Sequence, residues 1–265
     1  MPQNNDLRGR IAGQSAMAAV IAAQAHHARR GLLARTIGLS PLTAEGRAHY
    51  RGAVGELLVG SILDHLGHSW DILHGVPLGE TSLDHFAVGR AGVFAISVVN
   101  CQGDDVAIDG DELVIAKTVS QAIVEARAAG QRVAAALSAA MGSPVNVVPV
   151  LVVVEPVKVS TLALPADVRV LTSMQLEQWL LSAQATLTGE EVATLSTVAE
   201  SSTTWPAPQQ ATIASRTITR EFVRIHHDVR RASARRFVWV VVALVGTFLW
   251  VWSLASVFAS LVVGP

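Results

Sequence analysis

Between residues 237 and 263 the chain runs without one charged side chain. As an α-helix, rising 1.5 Å per residue, that stretch is about 40 Å long, more than the roughly 30 Å of hydrocarbon in a bilayer. No other feature narrows the architecture so far: such a segment crosses a membrane, or a large core has to be built around it. Arg230, Arg231, Arg235 and Arg236 stand directly before it and no charge follows it. Arginines that flank a span stay inside, so the expected arrangement is a single C-terminal pass of the cell membrane with everything upstream in the cytoplasm. Trp239 falls where an interfacial anchor would sit. Just upstream, Ile218, Phe222, Ile225 and Val229 recur at helical spacing among Arg216, Arg220, Arg224 and Arg230. That is a basic amphipathic helix, and anionic lipid headgroups are the expected partner of Arg230, Arg231, Arg235 and Arg236.

A span accounts for a small part of 265 residues, and the charge of the remainder is unevenly divided. Residues 1–51 hold seven arginines against Asp6 and Glu45, and residues 206–265 hold seven against Glu221 and Asp228. Each arm is therefore +5, and with an overall charge of -1 the middle of the chain carries -11. Non-specific nucleic-acid affinity comes mostly from cations that neutralise phosphates, so nucleic acid is disfavoured as a partner of the middle, and any such contact falls to the arms. The single cysteine, Cys101, excludes an intramolecular disulfide and a thiolate metal site, which suits a reducing compartment.

Residues 11–25 form an Ala-rich helical stretch. Arg8, Arg10, the apolar run and Ala23-Gln24-Ala25 also match a secretory signal, but Gly13, Gln14 and Ser15 dilute the run, and secretion would put the later arginines outside. A surface helix leading into the domain is the expectation. His26 and His27 are adjacent and do not share a helix face. From Gly52, the pattern GAVGELLVGSILDHLG puts Val54, Leu57, Leu58, Ile62 and Leu66 on the buried stripe of a helix that ends at Gly67, with Glu56 near its first turn, where the helix dipole favours a carboxylate. Residues 70–78 read as a strand, 106–108 and 112–115 as a hairpin around Asp109-Gly110, and 118–141 as a long helix. The run 147–154 has the continuous Val and Leu of a strand buried on both faces, 168–171 is a short strand, and 173–181 and 189–200 are helices. The fold class that follows is α/β: a central mixed sheet flanked by helices, plus the C-terminal transmembrane helix. Ser/Thr-rich sequence before Trp205-Pro206 marks the end of the domain.

At the centre lies a second hairpin, strands 83–88 and 93–99 around Gly89-Arg90-Ala91-Gly92. Asp84 and His85 leave the first strand on opposite faces, which makes His85 a packed histidine, and Ser97 and Val99 leave the second strand on one face. His65 and His68 stand three apart with no third ligand in view and are expected on the surface.

The order of these pieces resembles the NERD (nuclease-related) domain, a relative of the PD-(D/E)xK nucleases with their restriction-endonuclease-like fold. Gly52-Ala53-Val54-Gly55-Glu56 matches the family's opening GxxGE, Leu83-Asp84-His85 its I-D-H, Gly92-Val93-Phe94 its G-V-F, and Gln121-Ala122 the start of its long helix, over residues 45 to 200. AGQSA at 12–16 and SSTTW at 201–205 look like flanking features of one bacterial branch. The resemblance implies metal-assisted phosphodiester hydrolysis, with Glu56 and Asp84 holding Mg²⁺, Gln121 in the cleft, and a lysine orienting the nucleophile. The family's E-x-K tripeptide, however, falls on Ser97-Val98-Val99. A hydroxyl is a weak, neutral replacement for a carboxylate ligand, and valine neither donates a hydrogen bond nor carries charge. Removing one transition-state charge stabiliser costs about two to three powers of ten in rate, and here two are gone.

The resulting expectation is a catalytically inactive domain that binds or scaffolds at the cytoplasmic membrane face, with Mg²⁺ bound only if the vestigial site is competent. The alternative is a weak Mg²⁺-dependent nuclease on DNA or RNA that uses Lys117, one helical turn before Gln121, as a relocated catalytic lysine. The expected segments are an N-terminal helical arm (1–45), the nuclease-related domain (46–200), a linker and basic juxtamembrane helix (201–236) and the transmembrane helix (237–263).

Overall fold

In the computed structural model, residues 7–25, 31, 36–206 and 215–262 are described; His26 and His27 lie outside them. Helices α1 (Gln14–Ala25) and α2 (Ala44–Asp64) precede the antiparallel meander β1 (Trp70–Leu78), β2 (Thr81–Gly89) and β3 (Gly92–Asn100). The short strands β4 (Asp105–Asp109), β5 (Glu112–Ile115) and β6 (Thr118–Ser120) follow, then α3 (Ala122–Met141), β7 (Val147–Val154), β8 (Lys158–Ala163) and β9 (Arg169–Thr172). The chain ends in α4 (Ser173–Ser182), α5 (Gly189–Glu200) and α6 (Ser215–Val262).

The main sheet has the order β1-β2-β3-β7-β9 and is mixed: antiparallel from β1 to β3, parallel from β3 through β7 to β9. Val150 to Val154 of β7 are all buried because both faces of this strand are covered. On one face Ala129, Val133 and Leu137 of α3 and Leu195 and Ala199 of α5 pack on the sheet; on the other lie Val59 and Leu63 of α2 and Leu176 and Leu180 of α4. Trp205 closes the domain, its ring 6.0 Å from Phe86 and its indole N–H donating to the Ala199 carbonyl.

A second sheet, β6-β5-β4-β8, sits beside the first. It differs from the sequence reading in two places. Residues 118–120 are a strand, and the long helix begins only at Ala122: Ala116 and Lys117 take left-handed φ values of 50° and 68°, which turn the chain from β5 straight into β6. Strand β8 pairs in parallel with β4 but is exposed along most of its length, so its sequence carries no apolar alternation to betray it.

α6 is continuous for 48 residues, and its stretch Thr217–Leu254 is long and apolar enough to cross a membrane, with none of its most apolar part buried inside the protein. Its first turns are a different matter. Ile218, Phe222 and Ala232 are buried, and with Ile225 and Val229 the stripe packs on Met17 and Val20 of α1 and on Tyr50 and Ala53 of α2. The apolar face expected of a juxtamembrane amphipathic helix thus faces protein. Arg230, Arg231, Arg235 and Arg236 occupy the exposed faces.

Candidate functional site

The β2–β3 ladder runs as far as His85 opposite Ile96 and is not continued. Beyond that point the Asp84 carboxylate accepts the Val98 amide at 2.7 Å, so a side chain takes the place of a strand partner. α2 crosses this open end. Gly55 makes the crossing possible, since a Cβ there would stand 3.0 Å from Asn100 Cβ and 3.2 Å from Val98 Cγ1. Asn100 Nδ2 ties the crossing by donating to the Arg51 carbonyl at 3.1 Å. The second glycine of the GxxGE pattern is therefore a packing glycine, and the residue after it, Glu56, is delivered to Asp84.

Glu56 does not lie in a first helical turn. Thr43 caps α2, its hydroxyl accepting the Gly46 amide at 2.8 Å, and Glu56 follows more than three turns later, beyond the reach of the helix dipole. Burial first, and the charge of Asp84 second, push its carboxyl up to about 9 against a hydrogen bond from the Gly13 amide. Burial likewise pushes Asp84 up to about 7, against the pull of the Val98 amide, and Glu125 of α3 adds to the rise. The charges that act on the pair are carboxylates, so it relieves its repulsion by keeping a proton.

Gly13 belongs to the AGQSA segment, which the sequence reading placed in an arm. It lies on α2 with φ 72°, where a Cβ would stand 3.1 Å from the Ala53 carbonyl oxygen. The Ala12 side chain fills the space that Gly60 leaves open, and the Arg10 guanidinium donates to the Gly75 carbonyl. The N-terminal segment is therefore part of the site and covers Glu56.

The remaining candidates do not join them. Ser97 and Val99 stand opposite Leu151 and Val153 of β7. Val99 packs on an apolar cluster with Ile123 and Ala126 of α3. Gln121 is exposed at the start of α3 with no side-chain capping bond. Lys117 is exposed in the β5–β6 turn, so the one-turn helical relation to Gln121 does not exist. Among the described residues no three His, Cys, Asp or Glu side chains come together as a metal site. Mg²⁺ takes several oxygen ligands, carboxylates foremost. Two desolvated carboxyls already engaged by amides do not fit it.

His85 is fully buried, as expected, but its partner was missed. Its Nδ1 lies 2.8 Å from Nδ1 of His74, with the rings edge to face. Burial, and after it the charge of His74, hold His85 down to about 3, so one ring donates and the other accepts. The pair is a cross-strand neighbour set by the tight Gly79-Glu80 turn, a register the sequence contains. His65 and His68 are exposed.

A mixed sheet with helices on both faces, an Asp at the parting of a hairpin and a Glu from a crossing helix make up an α/β domain. The family model for the nuclease-related domain (NERD) matches residues 51–154, from the middle of α2 through β7. No curated protein and no solved structure matches the chain.

Proposed function

We propose that the protein is a membrane-anchored nuclease-related domain that does not cut nucleic acid and serves as a binding or scaffolding module at the cytoplasmic face of the cell membrane. The observation that carries this reading is the surroundings of Glu56: Asp84 and Glu125 bring only negative charge, β3 offers Ser97 and Val99, and the chain's own Gly13 amide holds the carboxyl. A nuclease needs cationic or metal stabilisation of the charge that develops on the phosphate, and Ser97 and Val99 supply neither a carboxylate ligand nor a cation. The exposed Arg230, Arg231, Arg235 and Arg236 just ahead of the apolar stretch favour a cytoplasmic domain and contact with anionic headgroups.

The test is cleavage of labelled DNA and RNA by the full chain in nanodiscs with Mg²⁺ or Mn²⁺, alongside Asp84→Ala and Lys117→Ala. Equal, background-level signals from all three are expected. Metal-dependent cleavage that disappears in Asp84→Ala would establish the nuclease instead, and its disappearance in Lys117→Ala would restore the relocated lysine. Protease accessibility in sealed vesicles of known sidedness reads the orientation, with digestion of the domain from the cytoplasmic side expected.

A further inference from the structure

The geometry points to a second membrane contact: residues Ile37 and Leu39, on the segment 36–39 clamped to α6 where that helix enters the bilayer, insert into the lipid interface and fix which side of the domain faces the membrane. The inference rests on the reading that α6 spans the membrane. Gly38, at φ 79°, lies directly on the helix. A Cβ there would meet the Ala232 carbonyl oxygen at 2.5 Å and the Arg236 amide nitrogen at 2.6 Å, both backbone atoms that cannot swing aside. One helical turn beyond Arg235, the Trp239 indole N–H donates to the Thr36 carbonyl at 3.0 Å. Segment 36–39 is thereby held against α6 between Ala232 and Trp239, over about 10 Å of helix length.

That length is where the helix passes from protein to its uncharged stretch. Ala232 is buried in the protein, Arg235 and Arg236 follow, and from Phe237 to Leu254 the large apolar side chains of the helix are all substantially exposed. Arginine stems reach back to headgroups and tryptophan favours the interface, so this level is the boundary between headgroups and hydrocarbon. On this segment Ile37 and Leu39 are 52% and 54% exposed, and Trp239, which is bonded to the Thr36 carbonyl, is 49% exposed. Ile37, Leu39 and Trp239 are thus exposed apolar side chains at the level where the uncharged stretch begins, with Arg235 and Arg236 beside Gly38. A bilayer interface covers such side chains with acyl chains while the arginines meet phosphates. The occupant is thus the same membrane that α6 crosses, and the seam of α1 and α2 on α6 transmits the orientation to the domain.

The experiment uses the full chain with Cys101→Ala, in nanodiscs of phosphatidylcholine and phosphatidylglycerol. Single spin labels replace Ile37, Leu39, the exposed Ser143 as an aqueous reference, and Leu244 as a mid-span reference. Relaxation by oxygen, which concentrates in lipid, is compared with relaxation by a water-soluble nickel chelate. The expected result is an oxygen-to-nickel ratio at 37 and 39 severalfold above that at 143 and below that at 244. Ratios at 37 and 39 equal to that at 143 overturn the contact while a lipid-like 244 keeps the span. Low accessibility to both agents at 37 and 39 means that protein covers the segment, which also overturns it. A water-like 244 removes the span itself, and the second contact with it. Trp239→Phe, which releases the Thr36 carbonyl, should lower the ratio at 37 toward the aqueous value; no change would overturn the clamp.

Discussion

At the open end of the β2–β3 hairpin the protein buries Glu56 and Asp84 beside each other, whereas along the seam of α1, α2 and α6 it buries Met17, Val20, Ile218 and Phe222. The first burial works against folding: each carboxyl is more easily ionised in the unfolded chain, so near neutral pH the pair withholds stability. The second works for it, at about 1.5–3 kcal/mol for each large apolar side chain fully removed from water. The contrast separates what the nuclease-related sheet inherits from what holds this chain together. Neutralising the site should therefore leave the fold intact, whereas weakening the seam, which couples the domain to α6, should loosen both.

Four substitutions break or sharpen this contrast. The largest effect is expected at the seam: Phe222, 3% exposed and 5.8 Å from the Tyr50 ring, should cost about 3–5 kcal/mol as Phe222→Ala, read as a lower melting temperature of the full chain in detergent. An unchanged melt would break the seam side. Next, and of opposite sign, is Glu56→Gln. The Glu56 carboxyl has its ordinary value of 4.5 when unfolded and about 9 when folded, so its contribution to stability is complete below 4.5 and is lost as the pH rises through 9. Glutamine removes that loss, and the variant should gain on the order of 2 kcal/mol at pH 8, with the gain shrinking toward pH 5. Melts over that range check it; a destabilised variant at pH 8 would mean that the carboxylate is ionised and partnered. Histidine 85 has the reverse sign: its contribution is present above 6.5 and is lost as the pH falls through about 3, so the parent should also weaken on the acid side.

A smaller loss, of about 1–3 kcal/mol, is expected for Gly55→Ala, where the new methyl meets Asn100 Cβ and Val98 Cγ1, and denaturant titration measures it. The smallest belongs to Tyr50→Phe. Its hydroxyl and the His226 Nδ1 lie 2.8 Å apart across the seam, and removing one such bond should cost about 1 kcal/mol by the same titration.

Much of the fold was legible because its strands carry their own punctuation. Gly89 and Gly92 face each other across the hairpin turn, Val150 to Val154 could only be a strand covered on both faces, and the helix start at Thr188 is marked by a capping box with Glu191. What escaped lacked a local signal. β8 is too exposed to show a pattern, and β6 looked like helix because nothing in Thr118-Val119-Ser120 announces the left-handed Ala116-Lys117 turn before it. In the site, the positions of Glu56 and Asp84 followed from their motifs. Their state did not, because it depends on Gly13 and Glu125, which approach from elements distant in sequence. His74 was readable from strand register alone, and the apolar stripe of α6 was read correctly as a stripe while its partner was not, since periodicity names a face and not what covers it.

A carboxyl pair that keeps a proton should not gather a divalent cation at this end of the sheet. Mn²⁺ binding to the full chain at pH 7.5, followed by electron paramagnetic resonance of the free ion and repeated with Asp84→Asn, addresses this directly. The account predicts weak, non-stoichiometric binding that Asp84→Asn leaves unchanged. One ion bound per chain, lost on that substitution, would contradict it.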